Sequence, residues 1–197
     1  SDLSTAHELT RFLKEIVGKV KRAKIHTEDT AREAIQLAQR IIDDSENADI
    51  HVVGWGSKKY PERLKRIPDP PLVLYVKGDL AGLSSKVSVA LIGTREPSEF
   101  GRKSTFAIGK GLAKSGAIVV SGLALGCDTE GHFGCLEGRG ITIAVLAHGL
   151  DKVSPAQNRP LAKRILAEGG CLVSEYGPGV EARRNHFVAR DRLQSGL

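Results

Sequence analysis

The chain has 197 residues, 41% of them hydrophobic and 26% charged, with 29 Lys/Arg against 23 Asp/Glu and a net charge of +6. A chain of this size buries roughly 70% of its unfolded surface, so its core needs neither disulfides nor a structural metal, and the composition is not that of a disordered protein. No apolar run reaches the ~18–20 residues of a membrane span, and no charged-then-apolar signal segment opens the sequence. The charge is uneven. Residues 1–50 hold 8 Lys/Arg against 10 Asp/Glu, whereas residues 51–197 hold 21 against 13. A basic excess confined to the later part suits a polyanionic or phosphate-bearing partner. Cys127, Cys135 and Cys171 form an odd set without a CxxC pair, which points to a reducing, cytoplasmic setting. The six histidines fall at no metal-ligand spacing, so neither a metal nor a cofactor is expected. The sequence contains no methionine, and a partial chain is expected.

In chain order, Leu9, Phe12, Leu13, Ile16, Val17 and Val20 form the stripe of one amphipathic helix over residues 3–21. Ala31, Ala34, Ile35, Ala38, Ile41 and Ile42 repeat it over 28–47, with Thr27 as N-cap. Residues 1–49 therefore read as a helical lead-in to a domain over 50–197. Residues 50–53 and 72–76 are short strand-like runs around a loop holding Pro61, Pro68, Pro70 and Pro71. A regular alternation follows, with strands over 87–92, 117–120, 141–147 and 171–174 and helices over 102–114, 128–137 and 155–168. The strands are continuous apolar runs, as in sheets covered on both faces. The expected fold is α/β, a Rossmann-like, doubly wound, mainly parallel sheet with an N-terminal helical lead-in.

In such a sheet ligands bind beyond the carboxyl ends of the strands. The loop after residue 92 carries Gly93, Thr94 and Arg95. The loop after residue 120 carries Ser121, Gly122 and Gly126, and leads to Asp128 at a helix start. Glycines let several N–H groups converge on an anion, and a helix N-terminus adds partial positive charge. Arg95 either closes over the same anion or pairs with Glu96 or Glu99. Asn158 and Glu175 follow at the same sheet end, Glu175 as a ribose or base contact or as a cap. Cys127 and His132 read as a buried hydrophobe and a helix-face histidine rather than a nucleophile and its base. The segment 183–192 holds four arginines, one acid and Phe187. It suits single-stranded nucleic acid, with guanidinium groups on phosphates and a ring on a base; the alternative is a solvated amphipathic helix with Phe187 in the core.

Taken together, Val89-Ala90-Leu91-Ile92-Gly93-Thr94-Arg95, Phe100-Gly101-Arg102 and Ser121-Gly122-Leu123-Ala124-Leu125-Gly126-Cys127-Asp128 resemble the Smf/DprA family of DNA-processing proteins. Tyr60-Pro61-Glu62-Arg63-Leu64, Ser174-Glu175-Tyr176-Gly177-Pro178-Gly179 and Phe187-Val188-Ala189-Arg190-Asp191-Arg192 continue the likeness in order. Asp191 stands where the family carries Asn. The resemblance implies a dimeric, non-catalytic protein that binds single-stranded DNA and loads a RecA-type recombinase onto it during natural transformation. It implies a phosphate cradle of Gly93, Arg95, Ser121, Gly122, Gly126 and Asp128, and basic contacts from Arg183, Arg190 and Arg192. It also implies further elements of the domain beyond Leu197. The runner-up reading is a nucleotide-derivative sensor or hydrolase using the same cradle, and a third is an interaction domain with a degenerate pocket.

Overall fold

The structure is a computed structural model that describes residues 27–84 and 87–197. It falls into two compact units divided between Asp44 and Ser45. The helix expected over 3–21 lies outside the described residues. Helix α1 (Glu28–Asn47) begins as its sequence requires: the Thr27 hydroxyl accepts from the Thr30 N–H at 3.3 Å, and Glu28 sits in the first turn beside Arg32.

The second unit is built on one six-stranded sheet: β1 (His51–Gly54), β2 (Val73–Gly78), β3 (Ser88–Ala90), β4 (Ile118–Ser121), β5 (Thr142–Leu146) and β6 (Cys171–Ser174), in the order β1-β2-β6-β5-β4-β3. Strands β3, β4, β5 and β6 are parallel, while β2 runs antiparallel to both β6 and β1. Alternate residues of each strand serve opposite faces. Ile118 and Val120 join Ile143, Val145, Cys171 and Val173 in one core layer, closed by Leu64, Leu193 and Leu197, whereas Val119 faces Ala113 and Cys135 on the other. Burial on both faces is why these strands show no polar–apolar alternation.

Helices α2 (Glu99–Lys114), α3 (Cys127–Glu137) and α4 (Arg159–Ala167) make the parallel crossovers, and α5 (Arg184–Gly196) closes the opposite face. Local chemistry shifts three expected boundaries. α2 starts three residues earlier than expected because the Ser98 hydroxyl caps it, accepting from Gly101 N–H at 3.1 Å. α4 starts four residues later, after a 3₁₀ turn at Ala156–Asn158. Pro160, in its first turn, has no N–H to bond back to residue 156. β3 ends at Ala90, short of the expected residue 92. The Leu91 N–H still bonds Val120 O, but β4 itself ends at Ser121 and Ile92 is left exposed.

Helices α2 and α3 touch through glycine. A Cβ at Gly134 would stand 2.1 Å from Phe106 O, and one at Gly109 would stand 2.5 Å from Gly131 O. Beneath them His132 is fully buried. Its Nδ1 lies 2.7 Å from Thr142 Oγ1, whose own proton goes to Val119 O, so Nδ1 carries the imidazole hydrogen. Nε2 is buried without a partner. Cys127 has no contact of this kind with His132, and all three cysteines are buried and free.

Two stability predictions follow from this packing. Alanine is the better helix former by ~1 kcal/mol, so Gly111→Ala, which meets nothing within 4 Å, should raise stability by about 0.5–1 kcal/mol. Gly134→Ala should lower it by about 1–3 kcal/mol, because the added methyl meets backbone that cannot yield; urea midpoints at unchanged slope measure both. Burial also pushes the His132 imidazole down to about 3 from its ordinary 6.5. The unfolded state then binds the extra proton. Stability held above pH 6.5 is therefore lost as pH falls toward 3, by up to about 1.4 kcal/mol per unit, and His132→Leu should flatten that slope in urea melts at stepped pH.

Candidate nucleic-acid interface

The carboxyl ends of β3, β4, β5 and β6 open onto one edge of the sheet, and α5 lies across it. Arg190 of α5 is buried there. Its Nη1 donates to Gly122 O at 3.1 Å and Val145 O at 2.5 Å, joining the ends of β4 and β5, and its Nε meets Asp191 Oδ1 at 3.2 Å. Gly122 has to be glycine for this approach, since a Cβ would lie 2.1 Å from Arg190 Nη1. Burial pushes the guanidinium down from its ordinary value, opposed by Asp191 and Asp128. The group remains charged at any working pH.

The loop between β4 and α3 folds around Asp128. The buried carboxylate accepts from Gly122 N–H at 3.1 Å and Ala124 N–H at 3.3 Å. Burial raises its pKa, against the pull of those amides and of Arg190. Asn158 braces the same loop, donating to Leu123 O at 2.8 Å and Thr129 Oγ1 at 2.9 Å. These bonds hold Leu123 at φ 59°, an uncommon conformation for a leucine. Ser121 is fully buried and donates to Leu91 O at 2.6 Å. The amides at 122 and 124 and the side chains of Ser121, Asp128 and Asn158 thus build the loop itself.

The neighbouring loop after β3 is stitched to this one. Cys127 N–H donates to Thr94 O at 3.0 Å. Gly126 adopts φ +87°, and a Cβ there would stand 2.4 Å from Thr94 O. Thr94 Oγ1 accepts from Glu96 N–H, and Gly93 lies against Cys127, where a Cβ would come within 2.7 Å. The exposed Arg95 is left facing outward. Its guanidinium stands 5.3 Å from the half-buried Phe187 ring, with Arg190 at 6.0 Å from the same ring, and no carboxylate pairs with it among the described residues.

Phe187 divides two clefts. One, about 130 Å³, lies between Arg95, Gly122, Leu125 and Pro155. The other, about 290 Å³, runs past Ile92, Gly93, Arg95, Asp128 and Val188. Leu125, Pro155, Ile92 and Val188 are wall residues that the sequence does not single out as contacts, although Ile92, Leu125 and Val188 lie within its motifs. Arg183 and Arg184, at the start of α5, are exposed without a carboxylate partner among the described residues. Arg192 and Glu175, named from the sequence as separate ligand contacts, instead neutralise each other at 2.6 Å. Arg192 also holds Asp69, with Nε 2.8 Å from its backbone oxygen, and its pKa is raised chiefly by Glu175. Among the described residues no His/Cys/Asp/Glu cluster could hold a metal, and no helix is long and apolar enough to cross a membrane.

The arrangement is that of a Rossmann-like domain with an open arginine–phenylalanine groove at the carboxyl ends of its parallel strands. The family model for DNA recombination-mediator protein A matches residues 51–197. The chain belongs to that family, as its motifs suggested. It is 45% identical over 141 residues to protein Smf of Synechocystis sp., covering 70% of this chain and 35% of that protein. It is 37% identical over 148 residues to DNA processing protein DprA of Bacillus subtilis, covering 75% and 50% respectively. The chain thus spans half or less of the length of these relatives. The crystal structure of DNA processing protein A from Streptococcus pneumoniae superposes with a TM-score of 0.74 at 29% identity, over 95% of this chain and 69% of that one. DNA processing protein A from Helicobacter pylori, whose structure is described in terms of a single-stranded DNA binding mode, superposes at 0.66 and 31% identity, over 76% and 66%.

The geometry separates two kinds of arginine. Arg190→Ala should cost about 3 kcal/mol, because it leaves two strand-end carbonyls without their buried donor and removes the charge opposite Asp128. Arg183→Ala should stay within about 0.5 kcal/mol of wild type. Thermal melts of both variants check this.

Proposed function

We propose that this chain binds single-stranded DNA along the groove over Phe187, as a recombination-mediator protein without a catalytic step. The observation that carries the reading is Arg95: an unneutralised guanidinium held over an accessible aromatic ring, at the sheet edge where α/β domains take their ligands. Phosphates meet Arg95, Arg183 and Arg184, while a base stacks on Phe187. Gly93 and Gly126 keep the backbone low beside the strand. Arg190 acts by fixing the floor, and Arg192 by fixing α5.

Family membership and the described single-strand binding of the Helicobacter relative support this reading. By the same kinship it extends to a role in natural transformation, a RecA-type recombinase as partner, a homodimer and a cytoplasmic setting. It also treats residues 1–49 as a lead-in to the domain over 50–197. The alternative of a nucleotide-derivative hydrolase calls for a free carboxylate, and both candidates are engaged: Asp128 by its own loop, Glu175 by Arg192.

Titration of labelled oligo-dT and duplex DNA at two salt concentrations tests the reading. Single strands should be preferred, with affinity falling steeply with salt. Arg95→Ala and Arg183→Ala should each reduce the logarithmic salt slope by about 0.7, and Phe187→Ala should cost about 1–3 kcal/mol for a lost stack. Indifference to oligo-dT at either salt, beside tight binding of a mononucleotide, would overturn it.

A further inference from the structure

Strand β1 runs antiparallel to β2, and β2 antiparallel to β6, so β1 points the same way as β3, β4, β5 and β6. Its carboxyl end therefore emerges on the edge that carries the groove. The next residue is Trp55, the only tryptophan in the chain, and it is 47% exposed. Its backbone N–H donates to Leu72 O at 2.8 Å, which sets it beside a leucine that is 76% exposed. Lys65 Nζ stands 5.3 Å from the indole centroid and 2.6 Å from Glu62 Oε1, a cation against the ring, while about half of the residue stays open to solvent. Lys58 and Lys59 follow, both exposed and without a carboxylate partner among the described residues.

The interval between Trp55 and the groove is not bare. Tyr176, just after β6, stacks on His186 of α5 with centroids 4.1 Å apart and planes 17° from parallel, beside Arg183 and Arg184. One edge thus presents aromatic rings after β1, after β6 and on α5, interleaved with Lys58, Lys59, Arg183 and Arg184, which have no carboxylate partner among the described residues. Stacking rings alternating with backbone-tracking cations are the means by which sequence-tolerant single-strand binders hold a strand. From β4, beneath Phe187, to β1 is four strand spacings, about 19 Å, the length of about six stacked nucleotides.

We propose that Trp55 is a base-stacking platform for single-stranded nucleic acid, several nucleotides along the same strand from the Arg95–Phe187 groove. This inference rests on the groove being a single-strand site. The charge around Trp55 selects a nucleic acid over a protein partner, for which the exposed Trp55–Leu72 pair would otherwise serve.

Because Trp55 is the sole tryptophan, its emission reports on this position alone. Adding 20-nucleotide oligo-dT to the full chain should quench it, and duplex DNA of the same length should not. By anisotropy with labelled oligo-dT, Trp55→Ala should bind about five- to a hundredfold more weakly, and Trp55→Phe should recover most of the loss. A circular dichroism spectrum and melting temperature matching wild type would show that the half-exposed position was changed without harm to the fold. Arg95-dependent oligo-dT binding with unquenched emission and an unaffected Trp55→Ala variant would overturn the platform and leave the groove standing. Failure of the wild type to bind oligo-dT would overturn both.

Discussion

Arg190 is the contact on which the functional edge depends. A guanidinium taken out of water is stable only where its donors find acceptors, and it finds them in the carbonyls that end two adjacent parallel strands. That requirement fixes how deep α5 sits. It demands glycine at 122, places the Asp128 carboxylate nearby, and so determines the path of the loop between β4 and α3. Phe187, one turn before Arg190, is carried into position by the same anchor. The exposed Arg95 can face outward because a buried arginine holds the frame.

Much of this frame was legible from residues alone. The continuous apolar strands at 117–120, 141–147 and 171–174, alternating with helical segments, led directly to a mainly parallel sheet. Strand direction also located the edge where ligands belong. Boundaries moved where one side chain outweighed periodicity: Ser98 pulled α2 forward and Pro160 held α4 back. The direction of β2 in the sheet is not written in a local pattern, since it depends on pairing with β6 across more than ninety residues, and β1 takes its place only through β2.

The site was legible as a list of residues but not as a division of labour. Sequence places Ser121, Asp128, Asn158 and Glu175 at the right edge and cannot show which way their polar atoms turn. Asp128 faces its own loop because two amides there would otherwise be buried without acceptors. Glu175 faces Arg192 because α5 brings that guanidinium within reach. Spacing does not distinguish a carboxylate that binds a ligand from one that shapes the ground the ligand rests on, because the difference lies in which donors the fold leaves unsatisfied.

The glycine contact between α2 and α3 reaches further than packing. By letting two parallel helices lie almost backbone to backbone, Gly109, Gly131 and Gly134 also bring their starting turns together beside the groove. Each such turn carries about half a positive charge from aligned peptide dipoles. Part of the positive field at this edge is therefore written into the main chain, answered by the first-turn carboxylates Glu99, Asp128 and Glu130. It neither titrates nor disappears when an arginine is replaced, so the local potential along this edge keeps a fixed component that no single side-chain change removes.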